Sequence, residues 1–223
     1  MGAFLATMWE YWPQVADALG RTLLLAATVS VTGLLGGVLV FFLGLGGGRV
    51  QRWLVDAYVS FFIGTPLIVL LFLMYYGLPQ WGLKLSPFTV AVTGFTMNVA
   101  AYNARYLAVA YRGLDPAELE AARAQGFSAL QRFRLIILPQ SLRLSLPALT
   151  NQVILNVKDS SIAFLIQYVE FFAQMQDLAV RTFRFLDAYL VAGFVYILLV
   201  AAIVAVARRV ERRYVLPGVR RPA

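Results

Sequence analysis

The chain has 223 residues, 61% of them hydrophobic and only 13% charged, with no Cys and no His, and its mean hydropathy is +0.74. A soluble domain is about half apolar and about a quarter charged, so this composition excludes most soluble folds and the excess apolar surface must face lipid. Without thiolates or imidazoles the usual zinc sites, redox pairs and nucleophile–base dyads are missing, which argues against a conventional catalytic centre. The net charge of +8 would suggest nucleic acid in a soluble protein, but here the basic residues cluster at the ends of apolar runs and mark membrane orientation.

The first residues, with Glu10 among aromatic side chains, do not read as a cleaved signal peptide, and the chain reads as mature. A hydrocarbon core of about 30 Å needs roughly 20 apolar helical residues. Five runs meet that expectation. The first lies over about 22–45 and stops at Gly46-Gly47-Gly48-Arg49. The second covers 54–78, with Asp56 near its start and Gly77-Leu78-Pro79 at its end. The third lies within 86–111 and carries Arg105, the fourth follows Leu138-Pro139 to about Val157, and the last covers 188–207 before Arg208-Arg209. The stretch 161–182 is apolar but broken by Gln167, Glu170, Gln174 and Asp177, and reads as interfacial or partly buried.

If the helices alternate, one side receives Arg49, Arg52, Arg112, Arg123, Arg132, Arg134, Arg143 and the tail Arg208, Arg209, Arg212, Arg213, Arg220 and Arg221. The other holds Arg21, Lys84, Arg181 and Arg184, diluted by Glu10, Asp17, Glu170, Asp177 and Asp187. The first side is therefore cytoplasmic, with the N-terminus outside and the C-terminus inside. No repeat or linker divides the chain, so 1–223 reads as a single all-α membrane domain.

Between the third and fourth spans, the cytoplasmic loop 114–139 has its own signals. Asp115 before Pro116 is an N-cap with proline at the first helical position, and Glu118 and Glu120 suit the positive end of the helix dipole. Gly126 ends that helix, Ser128 caps a second one carrying Leu130, Phe133, Ile137 and Leu138, and Pro139 is expected to turn the chain back into the membrane. The result is a helix-turn-helix elbow. It reads equally as an amphipathic connection or as a knob that seats in a partner's groove.

Glu120-Ala121-Ala122, then Gly126, then Ile137-Leu138-Pro139 resembles the EAA loop of the permease subunits of ATP-binding cassette (ABC) importers. Gly64-Thr65-Pro66-Leu67, Tyr76-Gly77-Leu78-Pro79, Ala101-Tyr102-Asn103, Leu138-Pro139-Gln140 and Lys158-Asp159-Ser160-Ser161 extend the resemblance over roughly the whole chain, to the polar amino acid uptake branch (histidine, glutamine and arginine permeases). The resemblance implies the type I importer permease fold: about five transmembrane helices and a cytoplasmic coupling helix. Glu118, Glu120, Ala121, Ala122, Gly126, Leu130, Phe133, Leu138 and Pro139 would couple to the ATPase. It also implies a bacterial inner-membrane location, a second identical or homologous permease subunit, two cytoplasmic ATPases that bind ATP and Mg, and an external solute-binding protein. This chain itself would hold no cofactor and catalyse no covalent step, and it has no Gly-x-x-x-x-Gly-Lys-Ser/Thr loop. Ile63 stands where that branch usually has Arg, Arg105 where it has an acidic residue, and Ala117-Glu118 where it has Gly-Gln.

Ionisable groups at membrane depth are functional candidates. Asp159 suits a substrate ammonium, with Lys158, Ser160, Ser161, Thr65, Asn98 and Asn103 completing a candidate polar-substrate set. The structural alternative has Lys158 snorkelling and Asp159 capping the helix after it, and Arg105 reads as snorkelling. Gly33, Gly36 and Gly37 suit close helix packing, while Trp9, Tyr11, Trp12, Tyr75, Tyr76 and Trp81 read as interfacial anchors. Rival functions are an ion-coupled carrier or channel using Lys158 and Asp159, a membrane scaffold, and an importer permease for another small amine or osmolyte.

Overall fold

The computed structural model describes residues 2–46 and 48–214, with the side chains of Ala3 and of 210–214 excluded. Gly47 in the expected first helix stop, and Arg220 and Arg221 in the expected basic tail, lie outside the described residues, as do the side chains of Arg212 and Arg213. In chain order the helices are α1 (Gly2–Glu10), α2 (Trp12–Gly46), α3 (Arg49–Gly64), α4 (Leu67–Phe72), α5 (Pro87–Arg112), α6 (Pro116–Ala124), α7 (Ala129–Arg132), α8 (Leu138–Asp159), α9 (Phe171–Thr182) and α10 (Phe185–Tyr214). No strand occurs among the described residues.

Among the described residues two helices are long and apolar enough to cross a membrane, α2 and the Phe185–Arg209 part of α10, and α3 with Leu67–Trp81 forms a bent pair that counts as a third, broken span. The other two expected spans, α5 and α8, have 26 and 22 residues, about 39 and about 33 Å at 1.5 Å per residue. They are long enough, but their polar side chains keep hydropathy from marking them. The helix of the first span, α2, begins at Trp12 rather than about Thr22. Asp17 and Arg21, one turn apart and paired at 2.9 Å, extend it without an unpaired charge.

The second span is not the single helix its composition suggests. Pro66 has no N–H and disfavours α geometry in the residue before it. Thr65 is extended, at φ −92° and ψ 126°, and the chain bends by 99°. After α4 a π turn (Leu73–Gly77) and a 3₁₀ turn (Leu78–Trp81) complete the passage. α5 then starts cleanly, with Pro87 in its first turn and Ser86 accepting from the Thr89 N–H at 3.1 Å.

α5 lies against α2 along a glycine seam. A Cβ on Gly33 would sit 2.5 Å from Val99 Cγ1, and one on Gly37 would sit 2.5 Å from Asn103 Cβ. The two backbones can approach this closely because neither glycine carries a side chain. Three apolar clusters result. Leu25, Val29, Leu71, Phe95 and Val99 pack with Ala163 and Ile166. Phe4 and Val15 meet Phe171, Met175, Leu178 and Ala188 towards the N-terminal end of α2. Phe41, Leu107, Leu114, Phe133 and Ile137 pack where α2 and α5 meet the elbow. Leu35, Phe194, Ile197 and Leu198 are exposed and form the surface expected to face lipid.

The ambiguous stretch 161–182 is a 3₁₀ segment (Ser160–Ile166), a turn and α9. Its Glu170, in a stretch expected to be interfacial or partly buried, is fully buried.

Candidate functional site

The break between α3 and α4 shapes a cavity of about 380 Å³. Ile63, Gly64, Thr65, Pro66 and Leu67 form one wall, Asn98 and Tyr102 of α5 a second, and Gln152, Leu155, Asp159 and Ile162 a third. Proline at 66 leaves the Phe62 carbonyl without its helical donor, and Asn98 Nδ2 donates to it at 2.7 Å. Asn98 thus fastens the bend as well as facing the cavity. Tyr58 OH donates to Met97 O at 2.7 Å and ties the same two helices a turn away.

On α8, Gln152 and Asp159 are seven residues apart, two helical turns, so both reach the same cavity. Gln152 Nε2 donates to Asn156 Oδ1 at 3.1 Å, and Asn156 Nδ2 donates to Ser30 Oγ at 2.9 Å. This relay fixes the amide and leaves buried Gln152 Oε1 with no hydrogen-bond partner. With Gln152 and the carboxylate residue Asp159 lining one cavity, the arrangement suits a cationic N–H donor such as an ammonium. No Lys or Arg lines the cavity, and Ile63 presents an aliphatic wall there.

Of the residues singled out from sequence, Thr65, Asn98 and Asp159 meet here. Asp159 makes no side-chain capping bond to the 3₁₀ segment that follows it. The other four lie elsewhere. Asn103 is buried under Gly37 of α2, with Oδ1 unpartnered. Ser160 is buried and donates to Val157 O at 2.7 Å. Lys158 and Ser161 line a separate cavity of about 420 Å³ with Phe172, Tyr189 and Tyr196, and Ser161 donates to Lys158 O at 2.8 Å. Arg105 lies in a cleft of about 320 Å³ that also holds Arg52, Asp56 and Arg112. Tyr75 and Tyr76, expected as interfacial anchors, donate to Gln167 Oε1 and Leu165 O, both at 3.2 Å.

Sequence reasoning gave no site role to Gln152, Tyr102 or Glu170. The i, i+4, i+7 spacing of Gln152, Asn156 and Asp159 marks one polar face and was the available signal. For Glu170 no local pattern announces that it folds inward. It caps α9, accepting from Phe172 N at 2.9 Å and Ala173 N at 2.8 Å. It also accepts from Thr22 Oγ1 at 3.1 Å and Tyr196 OH at 3.0 Å, which joins α9 to α2 and α10.

The elbow forms from the expected caps. Asp115 accepts from Ala117 N at 2.9 Å, and Ser128 with Gln131 makes a capping box. Gly126 takes φ +81°, and the bonds Phe127 N to Ala122 O and Gly126 N to Arg123 O, both 3.0 Å, complete a Schellman ending. Glu118, Glu120, Ala121 and Leu130 are exposed, and Glu118 is held by Gln140 Nε2 at 2.7 Å. Ala122, Phe133 and Ile137 are buried, while Leu138 and Pro139 are partly buried. The helical path breaks at Gly126–Ser128 and continues through Pro139. α7 runs through a π turn (Phe133–Ile137) into α8, and such a widened turn accommodates the missing proline N–H. Among the described residues no group of three or more acidic side chains is arranged to hold a metal ion.

Among the described residues the chain is an all-helical bundle with one broken span and an elbow between α5 and α8, an architecture it shares with a solved transporter chain. A family profile described as "Binding-protein-dependent transport system inner membrane component" matches residues 33–216. The chain belongs to that family. It is 37% identical over 199 residues to the probable amino-acid ABC transporter permease protein PatM of Vibrio harveyi, covering 88% of this chain and 89% of that one. It is 32% identical over 206 residues to the probable amino-acid ABC transporter permease protein YckA of Bacillus subtilis, covering 92% and 91%. Among solved structures, a chain of an amino acid ABC transporter crystallised with histidines superposes at a TM-score of 0.84 with 28% identity, over 93% of this chain and 97% of that one.

Proposed function

We propose that this chain is the membrane-spanning permease subunit of an ATP-driven importer of polar amino acids. The reading is carried by the cavity at the helix break, where Asp159 and Gln152 line the same space. An α-ammonium suits the Asp159 carboxylate, and Thr65 and Tyr102 add hydroxyls. Amino-acid permeases among its relatives support the substrate class.

The chain works with a second permease subunit, two cytoplasmic ATPases that bind ATP and Mg, and an external binding protein. It sits in the bacterial inner membrane as one domain, with its N-terminus outside. Residues 114–139 form the coupling loop, with Glu118, Glu120, Ala121, Ala122, Gly126, Leu130, Phe133, Leu138 and Pro139 as its working set. The exposed acidic face of α6 docks on the ATPase, and the buried Ala122, Phe133 and Ile137 transmit its movement to α5 and α8. Alternating access follows from that rocking, and no covalent step occurs on this chain.

The test is ATP hydrolysis in proteoliposomes holding the chain with its co-purifying subunits and binding protein, comparing wild type with Glu120→Lys and Asp159→Asn. Amino-acid-stimulated hydrolysis lost in the first variant, and a raised substrate requirement in the second, are expected. Transport by a preparation free of any ATPase would overturn the reading in favour of an ion-coupled carrier.

A further inference from the structure

We propose that the cavity between the elbow and the end of α2 binds the phosphodiester headgroup of an anionic phospholipid from the cytoplasmic leaflet. The cavity measures about 410 Å³ and is lined by Phe42 and Leu45 of α2, Leu119 and Arg123 of α6, and Arg132 and Phe133 of the second arm. Arg132 Nε is buried and has no hydrogen-bond partner. A guanidinium N–H in that state lacks an acceptor that folding ordinarily supplies.

Arg123 adds a second positive charge, and no Asp or Glu lines the cavity. Its charge therefore calls for an anion. The walls decide which anion. Phe42 and Phe133, with ring centroids 4.6 Å apart, join Leu45 and Leu119 in an apolar surface that a free phosphate would leave wet and an acyl chain would cover.

The cavity also lies at the last turn of a 35-residue span, where α2 ends at Gly46, the level at which headgroups of the inner leaflet sit under the orientation proposed above. A lipid seated there touches α2 and both arms of the elbow, so it sets how firmly the elbow is held against the membrane.

The test uses the full chain, purified with its accompanying subunits in a mild detergent, and native mass spectrometry with added phosphatidylglycerol or phosphatidylcholine. Wild type is expected to retain phosphatidylglycerol at least about tenfold better than phosphatidylcholine, with inorganic phosphate a weak competitor. Arg123→Gln with Arg132→Gln should remove that preference, and Arg132→Lys should keep most of it. Phe42→Trp, which fills the cavity without touching its charge, should weaken retention while leaving helicity and elution volume unchanged. Arg208→Gln with Arg209→Gln, equal in charge but outside the cavity, should have no effect.

Equal retention by wild type and the Arg123/Arg132 double variant overturns the proposal, and that result also covers a subunit filling the cavity. So does equal loss in the Arg208/Arg209 control, or complete displacement of the lipid by inorganic phosphate. Because the readout is lipid retention, failure here is separable from failure of the transport reading.

Discussion

Glu170 provides the sharpest test of how α9 is held against α2 and α10. Its carboxylate is fully buried and accepts from two backbone N–H groups and two hydroxyls, at distances between 2.8 and 3.1 Å. Glu170→Ala removes all four acceptor contacts at once. Thr22 retains a fallback, since its hydroxyl also reaches Ala18 O at 3.3 Å. Tyr196 OH also has the Ser160 and Thr22 hydroxyls within reach, whereas the N–H groups of Phe172 and Ala173 have no second acceptor among the described residues. Bonds to a carboxylate contribute about 1.5–3 kcal/mol each and are not additive in a shared network, so a loss of about 3–5 kcal/mol is expected.

Glu170→Gln keeps one acceptor oxygen but turns an NH₂ towards a donor, for a loss of about 1–3 kcal/mol. Tyr196→Phe removes a single donor and should cost about 1 kcal/mol. Combining it with Glu170→Ala should cost less than the sum, because one bond is lost only once. Unfolding in mixed micelles of dodecylmaltoside and rising SDS, followed by helicity, measures the order, and hydrogen exchange at Phe172 and Ala173 localises it. A Glu170→Ala variant within about 0.5 kcal/mol of wild type, or strict additivity with Tyr196→Phe, would refute the assignment of Glu170 as the joint between α2, α9 and α10.

Asn98→Ala strands the Phe62 carbonyl and should destabilise by about 1–3 kcal/mol, with increased exchange confined to the α3–α4 bend. Gly37→Ala should cost about 1–3 kcal/mol by overpacking, since its Cβ would also lie 3.2 Å from the Ala100 O and Ala104 N backbone atoms. Gly20→Ala on the same helix meets nothing within 4 Å and should be neutral or stabilising in the same unfolding assay. Gly126→Ala forces a side chain into φ +81°, for about 1 kcal/mol. It should lower stimulated ATP hydrolysis more than it lowers global stability, because α6 ends on that residue.

Local signals fixed much of this molecule in advance. Asp115-Pro116, Gly126 and Ser128 specify where two short helices start and stop, and the structure forms those caps because their bonds are made within a few residues. Long apolar runs marked α2 and α10, since desolvating a helix depends on its composition. The glycine seam on α2 was legible as a close contact, but only the tertiary structure identified Val99, Ala100 and Asn103 as what it meets.

The site depended on relations that composition does not carry. Pro66 announces a broken helix, but the 99° turn and the Asn98 bond that secures it require α5 to arrive at that height. Lys158, Asp159, Ser160 and Ser161 are neighbours in sequence, yet adjacent helical residues point about 100° apart. Once α8 packs on α2 and α5, one of the four faces the cavity at the helix break while the others turn to another cavity or to their own backbone. Glu170 shows the same limit. Its charge alone suggests a wet surface, and it is buried because two hydroxyls from distant helices and the start of its own helix converge on it. Sequence by itself determined where the long apolar helices lie and where the elbow helices are capped, because those depend on bonds and burial local to each segment. The tertiary structure alone decided which polar groups share a space, because that depends on how separate helices pack.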